Sequence, residues 1–344
     1  MENKNSLLEY KKILNEILIG LDIGGTLTKI AIVNHKNETK LEKLFESYTN
    51  MNKIKTGDFL LHLLFFSTSD FETEVMTFLK KLNEISEIKQ INATGGGAYK
   101  YEPIIRKSLN TEFIKHDELI SLVDGYIFIN DYGFIYKIKN FNERIEVPSL
   151  DLEYPHISVN IGSGVSILKV SSPLPKDIQR VAGTIMGGGT LIGLSKLLIG
   201  IDDYNEIINL AQKGNYHNID LSNEDIYGKD SKKNSNEPEI PISSFGKVYH
   251  YVSDNKKSYQ KEDIALSLLN MICLHITQIA SLVAKKYNIN NIYFYGNFTR
   301  SSFAISLLNK ATLTWNKNLE VRFNILDGFL GAVGTLVEKN KKNK

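Results

Sequence analysis

Residues 22 to 29 read DIGGTLTK and place one carboxylate, two glycines and a lysine between two apolar runs, ILIGL and IAIV. Glycine has no Cβ, so the backbone amides of such a turn can approach an anion closely and form a concave donor cluster that suits phosphate. The two glycines and Thr26 would supply these donors, and Lys29 would add positive charge. Asp22 offers the hard oxygen that a nucleotide-bound Mg²⁺ ion prefers, directly or through water. Taken alone, the stretch is better explained as an ordinary hairpin turn, so the motifs that accompany it decide its interpretation.

A second stretch repeats this layout 138 residues later, counted from Asp22 to Asn160. It reads NIGSGVS and also lies between two strand-like runs. It offers further amides and the hydroxyls of Ser163 and Ser166, which can donate to a phosphate or to a polar substrate. Two units that each open on a glycine hairpin suggest an internally duplicated molecule with a cleft between its halves. A chance match of two short glycine-rich hairpins is the alternative.

Three further glycines, Gly187, Gly188 and Gly189, run into a periodic apolar stretch that predicts a helix. The N-terminus of a helix favours negative charge through its unpaired N–H groups and its macrodipole. The triplet therefore predicts another phosphate-binding element, with a flexible connector as the alternative. No G-x-x-x-x-G-K-[ST] motif occurs, and the triplet does not fit G-x-G-x-x-G, which argues against P-loop and Rossmann enzymes.

Phosphoryl transfer also needs a group that orients and deprotonates the acceptor hydroxyl, usually a carboxylate. The candidates are Asp117 and Glu118, at the start of a predicted helix in KHDELISLVDG. Acidic residues are common in the first turn of a helix for electrostatic reasons alone, so two solvated carboxylates are the alternative. Arg180 can pair with a substrate carboxylate or stabilise transferring charge, and a surface arginine is the alternative there. His116 is expected to be structural.

Composition and charge indicate a folded protein without a bulk electrostatic partner. The 344 residues are 42% hydrophobic, enough for two ordinary domains, and 41 basic and 39 acidic residues are interspersed to a net charge of +2. We therefore expect neither nucleic acid nor a membrane as a partner. The start lacks the layout of a secretory signal, and the single Cys273 cannot form an internal disulfide; both observations favour a cytoplasmic protein. Residues 264–284 are apolar but interrupted by polar side chains, which predicts a buried amphipathic helix.

The order of apolar patterns predicts an α/β fold, because strand-like runs alternate with helix-like periods such as FETEVMTFLKKLNEI and TLIGLSKLLIG. The predicted strands are ILIGLDI, KIAIV, KQINAT, YIFI, ISVNI, SILKV and NIYFYG. The polar, proline-bearing segment 227–241 is predicted to be an exposed loop. The domain boundary is expected between Pro148 and Pro155.

Together these motifs resemble the type II pantothenate kinases, in particular the eukaryotic-like group, within the actin, Hsp70 and sugar-kinase superfamily. The resemblance runs nearly end to end, from Ile17 to about Leu336. It is carried by DIGGTLTK (22–29), ATGGGAYKYE (93–102), KHDELISL (115–122), VNIGSGVSILKV (159–170), RVAGTIMGGGTLIGL (180–194), SSFG (243–246), KEDIA (261–265), YGNFTR (295–300) and GFLGAVG (328–334).

The resemblance implies two actin-like (ribonuclease H-like) α/β domains with an ATP cleft between them. We expect an N-terminal extension over 1–16, a first domain over 17–155, a second domain over 156–338 and a basic tail over 339–344. The implied reaction is ATP-dependent phosphorylation of the primary hydroxyl of pantothenate, the first step of coenzyme A biosynthesis, with Mg²⁺. Acyl-CoA as a feedback inhibitor, and a homodimer or a heterodimer with a related chain, are implied as well.

The resemblance also implies roles for individual residues. The glutamate of the DEL motif, the family's catalytic base, falls on Glu118. Substrate and acyl-CoA contacts fall on Ser163, Ser166 and Arg180, while Asp22 is expected to help place Mg²⁺ through water. Nucleotide contacts fall on Gly24, Gly25, Thr26, Leu27, Thr28, Lys29, Gly187, Gly188, Gly189, Tyr204 and Asn297.

The chain departs from the family pattern at two places. The spacing from Ser166 to Arg180 is longer than in typical animal members, and Ile-Met precedes the glycine triplet where animal relatives tend to have Ser-Leu. Three alternatives also stay open: a sugar kinase of the same superfamily, a catalytically silent actin-like subunit of a pantothenate kinase complex, and an Hsp70-like chaperone. Retention of Asp22, Glu118 and Arg180 argues against the silent subunit. The chaperone is disfavoured because we expect no substrate-binding region after the second lobe.

Overall fold

The computed structural model describes most of the chain. The described residues are 17–35, 39–48, 52–56, 59–131, 135–139, 143–146, 153–172, 174–228, 240–250, 259–324, 326 and 328–337. The predicted N-terminal extension and the predicted basic tail lie outside these residues, as do 229–239 of the predicted polar loop and 147–152 at the expected domain boundary.

The first sheet has six strands over the described residues. They are β1 (Leu18–Ile23), β2 (Leu27–His35), β3 (Asn52–Thr56), β4 (Phe59–Ser67), β5 (Gln90–Thr94) and β6 (Glu112–Lys115). Their order in space is β3-β4-β2-β1-β5-β6. One face is covered by α1 (Thr39–Glu46), α2 (Met76–Ile85) and α3 (Gly97–Leu109), whose apolar side chains join one core with those of the strands. A turn of π-helix, Phe71–Val75, leads into α2, so the predicted helix over FETEVMTFLKKLNEI is present.

The second sheet has seven strands in the described part of the chain. They are β7 (Ile135–Lys139), β8 (Glu143–Glu146), β9 (His156–Ile161), β10 (Val165–Val170), β11 (Ile178–Thr184), β12 (Asn291–Tyr295) and β13 (Glu320–Asn324). Their order is β11-β10-β9-β12-β13-β7-β8. The remaining helices are α4 (Glu118–Asp131), α5 (Gly188–Ile199), α6 (Tyr204–Ala211), α7 (Asn223–Tyr227), α8 (Gly246–His250), α9 (Lys261–Tyr287), α10 (Ser302–Trp315) and α11 (Leu330–Gly334).

The two halves repeat one arrangement of strands. In the first sheet, β1 pairs antiparallel with β2 and parallel with β5. In the second, β9 pairs antiparallel with β10 and parallel with β12. Both hairpins therefore lie beside a parallel strand that returns after a crossover, and the duplication predicted from the two glycine stretches is present in the fold.

Helix α9 forms the centre of the second core. It is long and apolar enough to cross a membrane by length and composition, but 61% of its most apolar window is buried inside the protein. Cys273, on this helix, is completely buried, and burial raises the pKa of its thiol far above the usual range. The predicted buried helix over 264–284 is thus confirmed.

One predicted strand is wrong. The run YIFI, residues 126–129, lies inside α4. Helix α4 is buried on two sides: Leu122 packs with Leu330 of α11, and Tyr126 packs edge-on against Tyr293 of β12 with ring centroids 5.0 Å apart. A helix that is apolar on both sides carries a continuous apolar run, which periodicity alone does not distinguish from a strand.

The predicted domain boundary also needs a correction. Strands β7 and β8 pair with each other, and β7 pairs with β13, so residues 135–146 belong to the second sheet. The chain changes sheets after α4, earlier than the expected boundary at Pro148 to Pro155. Short runs such as KIK carry too little pattern to show which sheet they join.

Candidate active site

The two glycine hairpins meet at their tips. Thr26 lies in the turn between β1 and β2, and Ser163 lies in the turn between β9 and β10; their hydroxyl oxygens are 2.7 Å apart. These residues are 137 positions apart in the chain, so the contact joins the two halves of the molecule. Both residues are exposed. The structure therefore brings the two predicted phosphate hairpins together at one accessible point.

Each hairpin turn closes on itself and leaves amides open. The Gly24 N–H donates to the Leu27 carbonyl over 3.0 Å, and the Gly162 N–H donates to the Gly164 carbonyl over 2.9 Å. The next two amides of the first turn and two amides of the second donate to no acceptor among the described residues. These open amides belong to Gly25, Thr26, Ser163 and Gly164. Open amides on facing turns are suited to bind an anion between them.

The first tip is held by Thr68, a buried residue directly after β4. Its N–H donates to the Thr26 carbonyl over 2.8 Å, and its hydroxyl donates to the Gly24 carbonyl over 2.9 Å. The Thr28 hydroxyl lies 3.1 Å from the Thr68 hydroxyl. Sequence reasoning missed Thr68, because a single threonine after a strand belongs to no spacing pattern.

The second tip is held by the glycine triplet, in a way that differs from the prediction. The amides expected to be unpaired are paired: Gly188 donates to the Gly162 carbonyl over 2.8 Å, and Gly189 donates to the Ser163 carbonyl over 3.0 Å. A Cβ on Gly187 would lie 2.8 Å from the Ser163 carbonyl oxygen. The triplet therefore lets the start of α5 approach the hairpin backbone, and its glycines position the tip rather than presenting free donors at that point.

Asp22 and Lys29 lie opposite each other on β1 and β2 and form an ion pair of 3.2 Å. Their side chains are 13% and 15% exposed, so the pair is shielded but accessible. Two glycines crowd the Asp22 carboxylate: a Cβ on Gly95 or on Gly331 would lie 3.0 Å from it. These contacts leave Asp22 little freedom to turn away from the tip of the first hairpin.

Glu118 is the first residue of α4, as predicted. Glu118 is exposed, but desolvation of its carboxyl by neighbouring groups raises its pKa, and the negative charge of Asp22 raises it further. Lys29 and Arg180 act in the opposite direction. The carboxyl of Glu118 therefore lies within electrostatic range of residues from both halves. Asp117 differs: its carboxylate accepts the Ile120 N–H over 3.0 Å and caps the helix.

Helix α4 is positioned by close contacts between glycines and backbone. A Cβ on Gly125 would lie 2.0 Å from the Leu330 carbonyl oxygen, and one on Gly334 would lie 1.7 Å from that of Ser121. Helix α11 also touches β1, where a Cβ on Gly20 would lie 2.2 Å from the Ala332 carbonyl oxygen. Helix α11 thus packs between the strand that carries Asp22 and the helix that carries Glu118.

Arg180 and Ser166 lie on neighbouring strands next to the second tip. Ser166 of β10 is opposite Gly183 of β11. The Arg180 guanidinium lies over Gly183, since a Cβ there would be 3.1 Å from its Nη2 atom. A shallow cavity of about 510 Å³, open to solvent, extends along β11 and is lined by residues 180–185. The longer spacing before Arg180 therefore still leaves the guanidinium beside the hairpin.

Tyr204 and Asn297 belong to a neighbouring layer. The Tyr204 hydroxyl donates to the Phe298 carbonyl over 2.5 Å, and the ring is 5% exposed. Asn297 begins a turn of 3₁₀-helix that ends at Arg300. A Cβ on Gly188 would lie 3.8 Å from the Phe298 ring, so this turn lies next to the start of α5. The nucleotide contacts assigned to Tyr204 and Asn297 stay predictions.

The model of the protein family described as Fumble matches residues 18–338. This chain belongs to the Fumble family.

Relatives within the Fumble family agree with the resemblance stated above. The chain is 34% identical to pantothenate kinase 1 of Arabidopsis thaliana, over 94% of this chain and 86% of that protein. It is 32% identical to the pantothenate kinase of Schizosaccharomyces pombe, over 93% of this chain and 81% of that protein. It is also 31% identical to the mouse 4'-phosphopantetheine phosphatase, over 96% of this chain but only 42% of that protein.

A solved structure supports the fold of this Fumble-family chain. Component A of the (R)-2-hydroxyglutaryl-CoA dehydratase of Acidaminococcus fermentans aligns with a TM-score of 0.51 at 14% identity, over 94% of this chain and 96% of that one. This likeness concerns the fold alone. The predicted α/β fold and the resemblance to type II pantothenate kinases are confirmed.

Metal ligands are sparse in this family member. No group of three His, Cys, Asp or Glu side chains could hold a metal ion within the described residues. His116, which is predicted to be structural, has its Nε2 atom 3.0 Å from the Asn92 amide oxygen. Among the described residues, the Asp22 carboxylate lies at the base of the first hairpin. This donor set fits a Mg²⁺ ion that arrives on a nucleotide and keeps water ligands.

Proposed function

We propose that this chain transfers the γ-phosphoryl group of ATP to the primary hydroxyl of pantothenate, giving 4'-phosphopantothenate. The observation that carries the proposal is the contact between Thr26 and Ser163, which unites two hairpins with open amides beside Glu118. The relatives named pantothenate kinase supply the substrate, and they favour it over the hexoses of sugar kinases in the same superfamily.

The triphosphate binds between the hairpin tips in this proposal. The amides of Gly25 and Thr26 donate from one side, and those of Ser163 and Gly164 donate from the other. Lys29 adds positive charge, and Asp22 would hold the nucleotide-bound Mg²⁺ through water. When bound, Mg²⁺ neutralises part of the phosphate charge that develops during transfer.

Glu118 acts as the general base. Its carboxylate accepts the proton of the pantothenate hydroxyl as that oxygen attacks the γ-phosphorus and the bond to the β-phosphate oxygen breaks. The raised pKa of this carboxyl supports the role, because it makes the carboxylate a better proton acceptor, and its exposure leaves it accessible to substrate. Asp117, its neighbour, has its carboxylate engaged in capping α4.

Arg180 binds the substrate in this proposal, with Ser163 and Ser166 as polar partners. The Arg180 guanidinium lies beside the cavity along β11 and can pair with the terminal carboxylate of pantothenate. Acyl-CoA as a feedback inhibitor would share Arg180 and the two serines. Arg180→Ala should therefore raise the KM for pantothenate and weaken acyl-CoA binding, which titrations of both ligands measure.

The proposal includes a cytoplasmic homodimer, or a heterodimer with a related chain. Large exposed apolar side chains on α5 support association, since Leu197 is 81% exposed and Leu198 is 53% exposed.

The experiment that tests the proposal is a pantothenate-dependent ADP-formation assay with Glu118→Gln and a matched control, Asp117→Asn. Glu118→Gln should lower kcat by about 10²- to 10⁴-fold with ATP binding retained, because the base is lost while the shape is kept. Asp117→Asn keeps a capping oxygen and should retain most activity. Near-normal turnover of Glu118→Gln would refute the assignment, and hexose-dependent ATP use in place of pantothenate would refute the substrate.

A catalytically silent subunit is the second candidate. It is favoured by the 31% identical mouse relative, which is named as a phosphatase although 96% of this chain aligns with 42% of it. Purified chain without pantothenate-dependent ADP formation, and activity restored by a second related chain, would support this candidate.

A further inference from the structure

Strand β11 has an open edge. It is the terminal strand of the second sheet and pairs with β10 alone among the described residues. Every second residue of an edge strand presents its N–H and C=O groups away from the sheet, where another extended chain can pair with them. The two halves differ here, because the corresponding strand of the first sheet, β4, is paired on both sides, with β2 and β3.

The cavity along this edge is built from that strand. Residues 180–185 line this shallow cavity, whose volume is about 510 Å³. An extended strand rises about 3.3 Å per residue, so the lining spans roughly 16 Å. One end reaches the hairpin tip, since Thr184 is opposite Val165, the residue after the turn. The opening thus runs from the site of the phosphates along the backbone of β11.

The register of β11 is interrupted in the middle of this lining. Leu168 is opposite Arg180 while Ile167 is opposite Ala182, so Val181 is an extra residue that forms a bulge. A bulge bends its strand and increases the local twist, and bulges are common beside binding sites. The backbone that lines the cavity therefore departs from a regular ladder at the point where a ligand would lie.

The charged side chains near the edge of β11 limit which ligands can bind there. The Arg180 guanidinium lies over Gly183 within the lining, and Arg180 is close enough to lower the pKa of Glu118. A ligand along β11 thus meets a fixed cation on the strand and a carboxylate near one end. These groups suit a short extended molecule with a carboxylate, an internal amide and a hydroxyl.

We propose that the open edge of β11 binds the secondary amide of the substrate as an added strand would bind, through backbone N–H and C=O groups between Arg180 and Ile185. This inference rests on the proposed function and deepens it: Arg180 recognises the carboxylate of pantothenate, Glu118 its hydroxyl, and the strand edge its amide. Substrate specificity then depends on the peptide-like character of the molecule as well as on its charge.

The test compares pantothenate with two methylated analogues in the same ADP-formation assay. One analogue carries the methyl group on the amide nitrogen, which removes the donor and blocks pairing. The matched control carries it on the carbon next to the carboxylate, with the amide N–H intact. We expect the N-methyl analogue to raise KM at least about 10-fold, since a hydrogen bond is lost and its partner on β11 is left unpaired. The control should stay within about 3-fold of pantothenate.

A second measurement follows backbone hydrogen exchange in residues 178–185. Pantothenate should slow exchange of amides in this segment, and the N-methyl analogue should not. Equal KM values for the two analogues, or equal exchange with and without pantothenate, would overturn the inference. The proposed function fails separately, since it requires only that pantothenate itself supports ADP formation, whatever the analogues do.

Discussion

The two hairpins share a layout but differ in the groups that they carry. In the first, Asp22 of β1 faces Lys29 of β2 and forms an ion pair. The equivalent position in the second, 138 residues later, is Asn160, which faces Ser166. The first hairpin therefore has charged side chains at its base, and the second has neutral polar side chains there. The comparison indicates that the first hairpin handles charge and the second handles hydroxyl and amide contacts.

The hairpins also differ in what holds their tips. Thr68 holds the first tip with its side-chain hydroxyl and its backbone N–H, whereas backbone amides at the start of α5 alone hold the second. A backbone anchor tolerates no Cβ, as the crowding at Gly187 and Gly188 shows. We therefore expect the second hairpin to be more sensitive to substitution of its anchor.

The largest expected effect comes from making the first hairpin resemble the second. Asp22→Asn places an amide where β9 has Asn160. It should lower kcat by about 10²- to 10³-fold, because a fixed charge near the transferring phosphoryl group is lost. A steeper requirement for Mg²⁺ should accompany the loss. Steady-state kinetics over a Mg²⁺ titration measures both.

Asn160→Ser is the matched control for that substitution, at the equivalent position of the second hairpin. Its effect on kcat should be within about 10-fold, since no charge is removed. Equal losses for the two variants would show that the hairpins do not divide their roles as described.

The next effect concerns the anchor of the second tip. Gly188→Ala would place a Cβ 2.9 Å from the Gly162 carbonyl oxygen and should lower the free energy of unfolding by about 1–3 kcal/mol and raise the KM for ATP. Gly193, five residues on in α5, has nothing within 4 Å of its Cβ position among the described residues. Gly193→Ala should therefore stabilise the helix by about 0.4–1 kcal/mol. Urea unfolding of both variants checks the pair.

Each half also buries one neutral histidine, His62 in β4 and His156 in β9. Burial lowers the pKa of each to about 4, from 6.5. The stability from keeping them neutral is present above pH 6.5 and is lost as the pH falls towards 4, because the unfolded chain binds protons more readily. Lowering the pH from 7.5 to 5 should therefore reduce the free energy of unfolding by about 2 kcal/mol for each histidine.

Urea unfolding as a function of pH measures that loss, and His62→Gln should reduce its slope by about half. Stability unchanged between pH 7.5 and pH 5 would contradict the burial of both histidines in their neutral form.

The smallest expected effect concerns the anchor of the first tip. Thr68→Val removes the hydroxyl that donates to the Gly24 carbonyl and keeps the N–H that donates to Thr26. The loss should be about 1 kcal/mol in the free energy of unfolding, with the KM for ATP raised a few-fold. The exposed Thr77→Val is a control of the same chemistry far from the tips. A Thr68→Val loss larger than that of Gly188→Ala would reverse the comparison of the two anchors.

Local patterns predicted much of the site. The two hairpins, the helix after the glycine triplet and the place of Glu118 at the start of α4 follow from residue types within a few positions of one another. The role of the triplet did not follow, because pairing of Gly188 with Gly162 depends on a distant segment. Thr68 was missed for the same reason.

Packing between distant elements limited the prediction of the fold. The run YIFI was assigned to a strand because α4 is buried on two sides, by α11 and by β12. A helix buried in this way shows no helical period in its apolar residues. The short strands β7 and β8 were missed because a short alternating run does not show which sheet it joins. Gly125 and Gly334 matter because α4 and α11 cross at close distance there. The residue spacing within either helix does not predict that crossing.

The most direct test of the central claim is a crystal structure of the chain with a non-hydrolysable ATP analogue, Mg²⁺ and pantothenate. The account predicts phosphate oxygens within hydrogen-bond distance of amides on both tips, at Thr26 and at Ser163, and the Glu118 carboxylate within that distance of the pantothenate hydroxyl. A triphosphate bound to one hairpin alone, or a pantothenate hydroxyl far from Glu118, would contradict it.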